Sequence, residues 1–344
     1  MNELYYNKYL KYRNKYLYLK LSIPSHQSGG NNNQKTYYLN MAEKKFESIL
    51  EKYLIELGYK RSTTFPVNFI FLTGEAIWYK NRFDAKKSEW ISVITGNSKT
   101  EITNKILLHK RYENFNFIIP SKYLTQFSPI PDINESTIKI LKPLNGFAGS
   151  GIRIVQTKKD IKLWLDLNEK YKEWLLEDYI IDPDLKDGYK FHFRVLILVK
   201  VFQNKSFEVY ISNQKFYITA KEKYRKTDWL NKDIHDTHFN QTIDYLIFPK
   251  DLPDSWTKED ALLVTNNMNN IIIEIFKKQT EFQPDRNSLN SFEIFGADFI
   301  FSNKHAYLLE INDKIGYKTA GPIIPGIIDT VLLNKDNEYF TKLI

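Results

Sequence analysis

A mixed α+β fold is predicted for this chain of 344 residues, and three observations predict it. Apolar residues recur at helical spacing over about 42–57, with Phe46, Ile49, Leu50, Tyr53, Leu54 and Leu57 on one face, and again over about 257–278. From residue 138 onward the pattern changes to strand-like runs, several of them arranged as hairpins. No repeat of about 20–50 residues is visible. With 42% apolar and 15% aromatic residues the composition is globular, and the length suffices for one large core or two moderate ones.

In chain order, residues 1–22 form a basic aromatic leader, MNELYYNKYLKYRNKYLYLKL, with tyrosines and leucines at helical spacings and lysines between them. Charge interrupts its apolar residues throughout, so it is no secretory signal. It carries Lys8, Lys11, Arg13, Lys15 and Lys20 against Glu3, a net of +4 and half of the total of +8. An anchor on an anionic surface and a dispensable basic tail both fit this pattern. Residues 23–38 read as a flexible linker from their Ser, Gly and Asn content. Residues 39–130 form an N-terminal α/β subdomain, in which PVNFIFLTG is a buried strand and KTEITNKILLHKRY a helix leading into a strand NFIIP. Residues 131–344 hold the rest: strands IKILK and IRIV around a glycine-rich turn, a helix at 158–170, and WLLEDYI. A long strand KFHFRVLILVKVF, two shorter strands FEVYIS and KFYITA, the helix at 257–278 and a final hairpin complete it.

Several function classes fall away. The chain has no cysteine, which excludes disulfides, thiolate-bound metal and a cysteine nucleophile. Its six histidines show no metal-ligand spacing such as HExxH. No apolar run reaches the ~18–20 residues of a membrane-spanning helix, so no integral membrane insertion is expected and a cytoplasmic location suits the composition. The basic balance favours anionic partners.

The most informative segment is FGADFIFSNKHAYLLEIN, residues 295–312. A loop of residues 303–305 sets Asp298 opposite Glu310, and Asn312 shares the Glu310 face because strand side chains alternate. Three hard oxygen ligands then converge among Phe, Ile and Leu, a donor set that suits magnesium. A solvent-facing polar row on an amphipathic hairpin would show the same residues. In IKILKPLNGFAGSGIRIV a strand ends at Lys142 and Gly146, Gly149 and Gly151 crowd the following loop. Such a loop presents N–H groups to phosphate oxygens, with Lys142 as a point charge beside them, although an ordinary glycine-rich hairpin offers the same glycines. It is not a Walker loop, because no Gly-Lys-Ser/Thr follows and the next element is a strand. In KFHFRVLILV, Lys190, His192 and Arg194 share one strand face, a phosphate clamp or a solvated row.

Taken in order, these segments resemble the tubulin–tyrosine ligase-like family of ATP-grasp enzymes. KPLNGFAGSGI is similar to the family's glycine loop, LLEDYI to its adenine-side strand, YKFHFRVLILV to its phosphate strand and FEIFGADFIFSNKHAYLLEIN to its metal hairpin. NKILLHKRYENFNFIIPSKYL resembles its N-terminal lysine segment, and the likeness covers about residues 65–316. The resemblance implies an ATP-grasp fold, with residues 131–344 as its central and C-terminal subdomains and antiparallel nucleotide-binding sheets. It implies an ADP-forming amide ligase acting through an acyl phosphate with ATP and Mg²⁺, joining a free amino acid to a protein acceptor with an acidic tail, tubulin by family likeness. By position, Lys142 would contact the phosphates under the loop Gly149–Ser150–Gly151, and Glu177 with the backbone at Tyr179 and Ile180 would meet the adenine edge. Lys190 and Arg194 would serve the nucleotide and the transferred phosphoryl, Thr237 would match a nucleotide-side threonine, and Asp298, Glu310 and Asn312 would hold magnesium. Ala148, His192, His238 and Asp313–Lys314 depart from the family pattern. An ATP-grasp ligase for a small molecule or peptide, and a catalytically silent nucleotide-binding module, are the alternative readings. The leader also resembles Tyr/Lys-rich openings of giant DNA virus proteins, which implies a viral protein in host cytoplasm.

Overall fold

A computed structural model describes residues 34–41, 44–73, 88–134, 137–146, 149–237, 247–313, 315 and 323–344. The leader, Ala148, His238 and Lys314 lie outside the described residues. The chain opens with β1 (Thr36–Asn40), inside the last residues of the span read as linker, then α1 (Lys44–Glu56), β2 (Lys60–Arg61) and β3 (Phe69–Leu72). Next come β4 (Ser88–Ile91), β5 (Ile94–Thr95), α2 (Asn97–Thr103) and α3 (Lys105–Tyr112). The strands β6 (Ser121–Thr125), β7 (Lys139–Pro143) and β8 (Arg153–Val155) precede α4 (Lys158–Leu167) and β9 (Glu173–Asp178). The second half holds β10 (Leu185–Lys186), β11 (Tyr189–Val201), β12 (Phe207–Lys223), α5 (Lys232–His235) and β13 (Ile247–Phe248). It ends with α6 (Lys258–Lys277), β14 (Gln283–Pro284), β15 (Ser288–Ser302), β16 (His305–Asn312), α7 (Ile324–Leu332) and β17 (Phe340–Lys342).

Two sheets position the site. In the larger one the strand order is β13-β12-β11-β15-β4-β3-β1-β2, with β16 added beside β15. Its N-terminal strands pair in parallel and its β11–β12, β11–β15 and β15–β16 ladders are antiparallel. The smaller sheet, β6-β9-β7-β8, is antiparallel throughout.

The apolar run after Arg194 implies a strand buried on both faces, and β11 is one. Phe193, Val195 and Ile197 pack with Val264, Met268 and Ile272 of α6. Leu196 and Leu198 face the opposite way, toward Leu50 and Leu54 of α1 and Ile327 and Ile328 of α7. Fully burying each such side chain contributes about 1.5–3 kcal/mol, so β11 is a fixed platform for the polar residues at its start.

Three local expectations change. FEVYIS and KFYITA belong to one strand, β12, whose register against β11 shifts between the pairs at Val195 and Ile197. There the Ser212 hydroxyl accepts from Leu196 N–H at 3.0 Å and donates to the Gln214 carbonyl at 2.7 Å, so polar SNQ remains inside the strand. NFIIP makes only an isolated bridge, Ile118 to Leu308, and the ladder starts after Pro120, which has no N–H to give. The final hairpin turns on two residues, Asn303 and Lys304, with φ of 51° and 64°, the conformation of a tight hairpin turn that matches strand twist. The register then shifts between Asp298 and Phe299, which accommodates Leu309 as an extra residue. The two differences cancel, and Asp298 faces Glu310 as the shorter strand with the longer loop would have placed it.

Candidate nucleotide and metal site

The smaller sheet, the start of β11, the 229–237 segment and the β15–β16 hairpin line a cleft open to solvent, about 820 Å³ with its open mouth included. Lys142, Glu177, Tyr179, Ile180, Lys190 and Thr237 all line it, so these expected residues meet although they come from four separate segments. They meet because Lys142 on β7 lies beside Leu175 of β9, which carries Glu177 two residues on, while Lys190 starts β11 across the cleft. Lys142 Nζ donates to Glu177 Oε2, and the Glu177 side chain is 2% exposed. Tyr179 N–H is spent on the Ile138 carbonyl at 3.0 Å. The Tyr179 hydroxyl accepts from Lys190 Nζ at 2.9 Å and lies 3.0 Å from His235 Nδ1. Lys190 Nζ also donates to the His235 carbonyl at 3.1 Å. Burial, reinforced by nearby Lys142 and opposed by Asp236, pushes Lys190 down to about 7. Burial also lowers the His235 imidazole, with Lys190 adding to the effect.

Above this array sits the glycine loop. Gly149 has φ of +72°, the left-handed region that favours glycine, and a Cβ there would lie 2.2 Å from Asp236 Oδ2. Gly151, at φ +81°, would meet Tyr171 at 2.7 Å. Ser150 Oγ is 2.8 Å from the Tyr171 hydroxyl. The loop therefore presses its backbone against the 231–237 segment, an approach that only small residues permit.

Arg194, Asp298, Glu310 and Asn312 stand one step farther along the same strands. Arg194 is directly opposite Asp298 in the β11–β15 ladder and clasps it with Nε to Oδ1 at 2.8 Å and Nη2 to Oδ2 at 2.7 Å. Burial works against the guanidinium charge, but Asp298 beside it outweighs burial and raises Arg194 above its ordinary value. Glu310 Oε2 pairs with Lys105 Nζ at 2.7 Å, and its Oε1 accepts from Asn312 Nδ2 at 2.7 Å. Among the described residues no cluster of three or more His, Cys, Asp or Glu gathers to hold a metal. The donor set is instead two carboxylates and one amide, all hard oxygens on neighbouring positions of one hairpin face. That set fits Mg²⁺, which takes a few protein oxygens and completes its shell with phosphate oxygens and water.

The two described departures have partners inside the chain. His192 Nδ1 lies 2.6 Å from Thr237 Oγ1, and its Nε2 lies 3.8 Å from Asp298 Oδ1, so the ring spans from the 231–237 segment to the carboxylate of Asp298. Asp313 Oδ2 lies 3.4 Å from Lys99 Nζ, which itself pairs with Glu293 at 2.6 Å.

Lys105, His109 and Asp236 are the site residues that sequence reasoning did not single out. Lys105 leaves a trace: it opens α3, where the helix dipole disfavours a cation, and no acidic residue balances it in that turn. Such a lysine is placed there by something outside the helix. His109 leaves none, because an imidazole on the buried side of a helix looks the same with or without a partner. Asp236 caps α5 with an N–H to the Lys232 carbonyl at 2.9 Å, a local role that conceals its approach to Gly149.

Comparison with known proteins is consistent with this geometry. The model of the tubulin-tyrosine ligase family matches residues 79–245. A probable tubulin–tyrosine ligase of Schizosaccharomyces pombe is 26% identical over 238 residues, covering 58% of this chain and 57% of the relative. A probable tubulin polyglutamylase of Caenorhabditis elegans is 23% identical over 282 residues, covering 71% of this chain and 66% of the relative. The match thus spans between about half and two thirds of these curated relatives' lengths. Among solved structures, the C-terminal domain of K. lactis Pby1, described as an ATP-grasp enzyme interacting with the mRNA decapping enzyme Dcp2, superposes with a TM-score of 0.59 at 16% identity, covering 90% of this chain and 99% of that one.

Proposed function

Because the chain belongs to the tubulin–tyrosine ligase-like family and carries the ATP-grasp fold, we propose that it is an ATP-dependent, ADP-forming ligase that joins an amino acid to a carboxylate of a protein acceptor. One observation supports this most. His192, which lines the cleft with Lys142, Glu177 and Lys190, lies 3.8 Å from Asp298, and strand pairing sets Asp298 beside Arg194 on one side and Glu310 on the other. A nucleotide held in the cleft and a metal held by the hairpin would therefore lie next to each other, as transfer of a terminal phosphoryl group requires.

In this reading the base meets the edge at Glu177, Tyr179 and Ile180, and the phosphates lie under the Gly149–Gly151 loop between Lys142 and Lys190. Asp298, Glu310 and Asn312 would hold Mg²⁺, which neutralises phosphate charge when bound. A carboxylate oxygen of the acceptor bonds to the γ-phosphorus as the bond to the ADP oxygen breaks, giving an acyl phosphate. The amine nitrogen of the incoming amino acid then bonds to the acyl carbon, phosphate leaves, and the nitrogen gives up a proton. Arg194 is held by Asp298 at a fixed angle, so its remaining N–H groups are already oriented toward charge that develops in the transition state. The chain contributes position and fixed charge rather than a covalent nucleophile.

Tubulin is the acceptor proposed by likeness to relatives named as a tubulin ligase and a tubulin polyglutamylase, and the net charge of +8 suits an anionic tail. ADP release measured with tubulin and labelled Tyr, Glu or Gly tests the proposal. Incorporation of label that depends on ATP and on Glu310 supports it. Nucleotide binding without ADP release under any acceptor would contradict it.

A further inference from the structure

Helix α3 reaches Glu310 of β16 and Glu177 of β9 from one face. Lys105 and His109 are four positions apart and so lie above one another on the helix. Lys105 pairs with Glu310 of β16 at 2.7 Å. His109, 3% exposed, places Nε2 3.6 Å from Glu177 Oε1 of β9 and Nδ1 3.0 Å from Ser121 Oγ of β6. The other oxygen of Glu177 is the one that accepts from Lys142. Ser121, His109, Glu177 and Lys142 thus stand in series across three strands and a helix.

We propose that His109 is a positioning residue for nucleotide binding: by sharing the charge of Glu177 it sets how tightly Glu177 holds Lys142. The inference rests on the nucleotide reading of the cleft, in which Lys142 serves the phosphates. Burial lowers the His109 imidazole, against the pull of Glu177, so the ring is neutral near pH 7. A neutral ring offers Glu177 a polar edge without adding a second fixed cation. Glu177 then keeps its bond to Lys142 but does not depend on it alone. When phosphate oxygens compete for the ammonium, a buried carboxylate with a second polar neighbour releases it more readily than one without, because an unsatisfied buried charge is costly. Removing the ring leaves Lys142 as the main partner of Glu177 and holds it back from the phosphates. Arg194 and the Asp298 pair lie on other strands, so the effect falls on binding rather than on the chemical step.

The test is nucleotide affinity of the full chain, measured by calorimetry with Mg²⁺ and a non-hydrolysable ATP analogue, beside KM and kcat from ADP release. His109→Leu is expected to weaken binding about tenfold, equivalent to about 1.4 kcal/mol, and to raise KM with kcat changed less than about twofold. His109→Gln retains a donor near the Nε2 position and recovers most of the loss. In a Glu177→Gln background the same His109→Leu change costs nothing, because a neutral amide no longer competes for Lys142. Equal affinity of wild type and His109→Leu overturns the inference, as does an equal loss in both backgrounds. Should His109→Leu not fold, Ser121→Ala takes its place, with a smaller loss that also vanishes in Glu177→Gln. A wild-type chain that binds no nucleotide overturns the reading of the cleft instead.

Discussion

Glu310→Gln separates catalysis from folding in a way that its neighbour Asp298 does not allow. Asp298 is fully buried and makes two charge-assisted bonds to Arg194, itself 17% exposed. Neutralising Asp298 leaves a largely buried guanidinium without its partner, a change that costs about 3–5 kcal/mol. At roughly 2–4 °C per kcal/mol, and less for a long chain, Asp298→Asn should lower the melting temperature by on the order of 10 °C. Glu310 is 16% exposed, its partner Lys105 is 22% exposed, and the amide of Gln still accepts from Asn312. Its single contact with a partly exposed lysine, unlike the two-bond clasp on a fully buried Asp298, contributes about 1–2 kcal/mol, so Glu310→Gln should melt within about 5 °C of wild type. Turnover behaves differently. Loss of one anionic ligand removes charge stabilisation that operates in the transition state, expected to cost at least about a hundredfold in kcat. Thermal melts and ADP release on the same preparations provide the comparison. Retention of near-normal turnover by Glu310→Gln would refute the metal assignment, and a melting point as low as that of Asp298→Asn would make Glu310 a structural group.

Three other perturbations probe the cleft and the sheet beside it. Lys190 sits near a pKa of about 7, so in the free protein its ammonium is lost as pH rises through that value. Phosphates restore the charge. Nucleotide binding at pH 8 should therefore take up a proton, and affinity should fall with rising pH; calorimetry in buffers of different ionisation enthalpy reads the uptake, which must disappear in Lys190→Met. Gly149→Ala places a Cβ 2.2 Å from Asp236 Oδ2 on a backbone at φ +72°. The strain of about 1–3 kcal/mol should move the loop and raise KM for ATP about tenfold or more; wild-type KM would show that the loop does not cover the phosphates. Burial, against the pull of Lys99, raises Glu293 to about 7. A carboxyl raised on folding stabilises the fold fully below its unfolded value, and that contribution is lost as pH rises through about 7. Denaturant melts from pH 4 to 8 should show this loss in wild type and not in Glu293→Gln, and identical profiles would sink the assignment.

Much of the fold was legible because local and tertiary forces agree. The face of Phe46, Leu50 and Leu54 gives α1 its helix, and these residues are buried against the sheet as their spacing demands. The long apolar run after Arg194 reads as a central strand because only a strand covered on both faces hides it. The placing of Asp298 opposite Glu310, with Asn312 on the same face, was legible from period-two alternation, which survives errors in turn length when a bulge restores the register, whereas the pairing of Arg194 with Asp298 was not. What was not legible depends on partners remote in sequence. Ser212 looks like a strand break until its hydroxyl takes a ladder bond from Leu196. His109 looks like part of a helix core until Ser121 and Glu177 are brought against it. Composition carries no record of such meetings.

The departures from the family pattern sharpen what the site is built to do. His192 lies near the start of β11 between Lys190 and Arg194, but it bonds to Thr237 and leaves Arg194 free to clasp Asp298. Asp313 follows directly on Asn312, yet its nearest cation is Lys99, which also holds Glu293 at the end of the sheet nearer α2. Both substitutions are thus satisfied by groups outside the cation and carboxylate track. A buried polar side chain without such a partner would cost stability and disturb its neighbours; with one, it leaves them in place. The nucleotide end can therefore keep its lysines and carboxylates while the walls around them change. In the proposed ligase, Lys142, Lys190, Arg194 and the hairpin oxygens would serve the nucleotide and its phosphates, and the departures at His192 and Asp313 leave them in place.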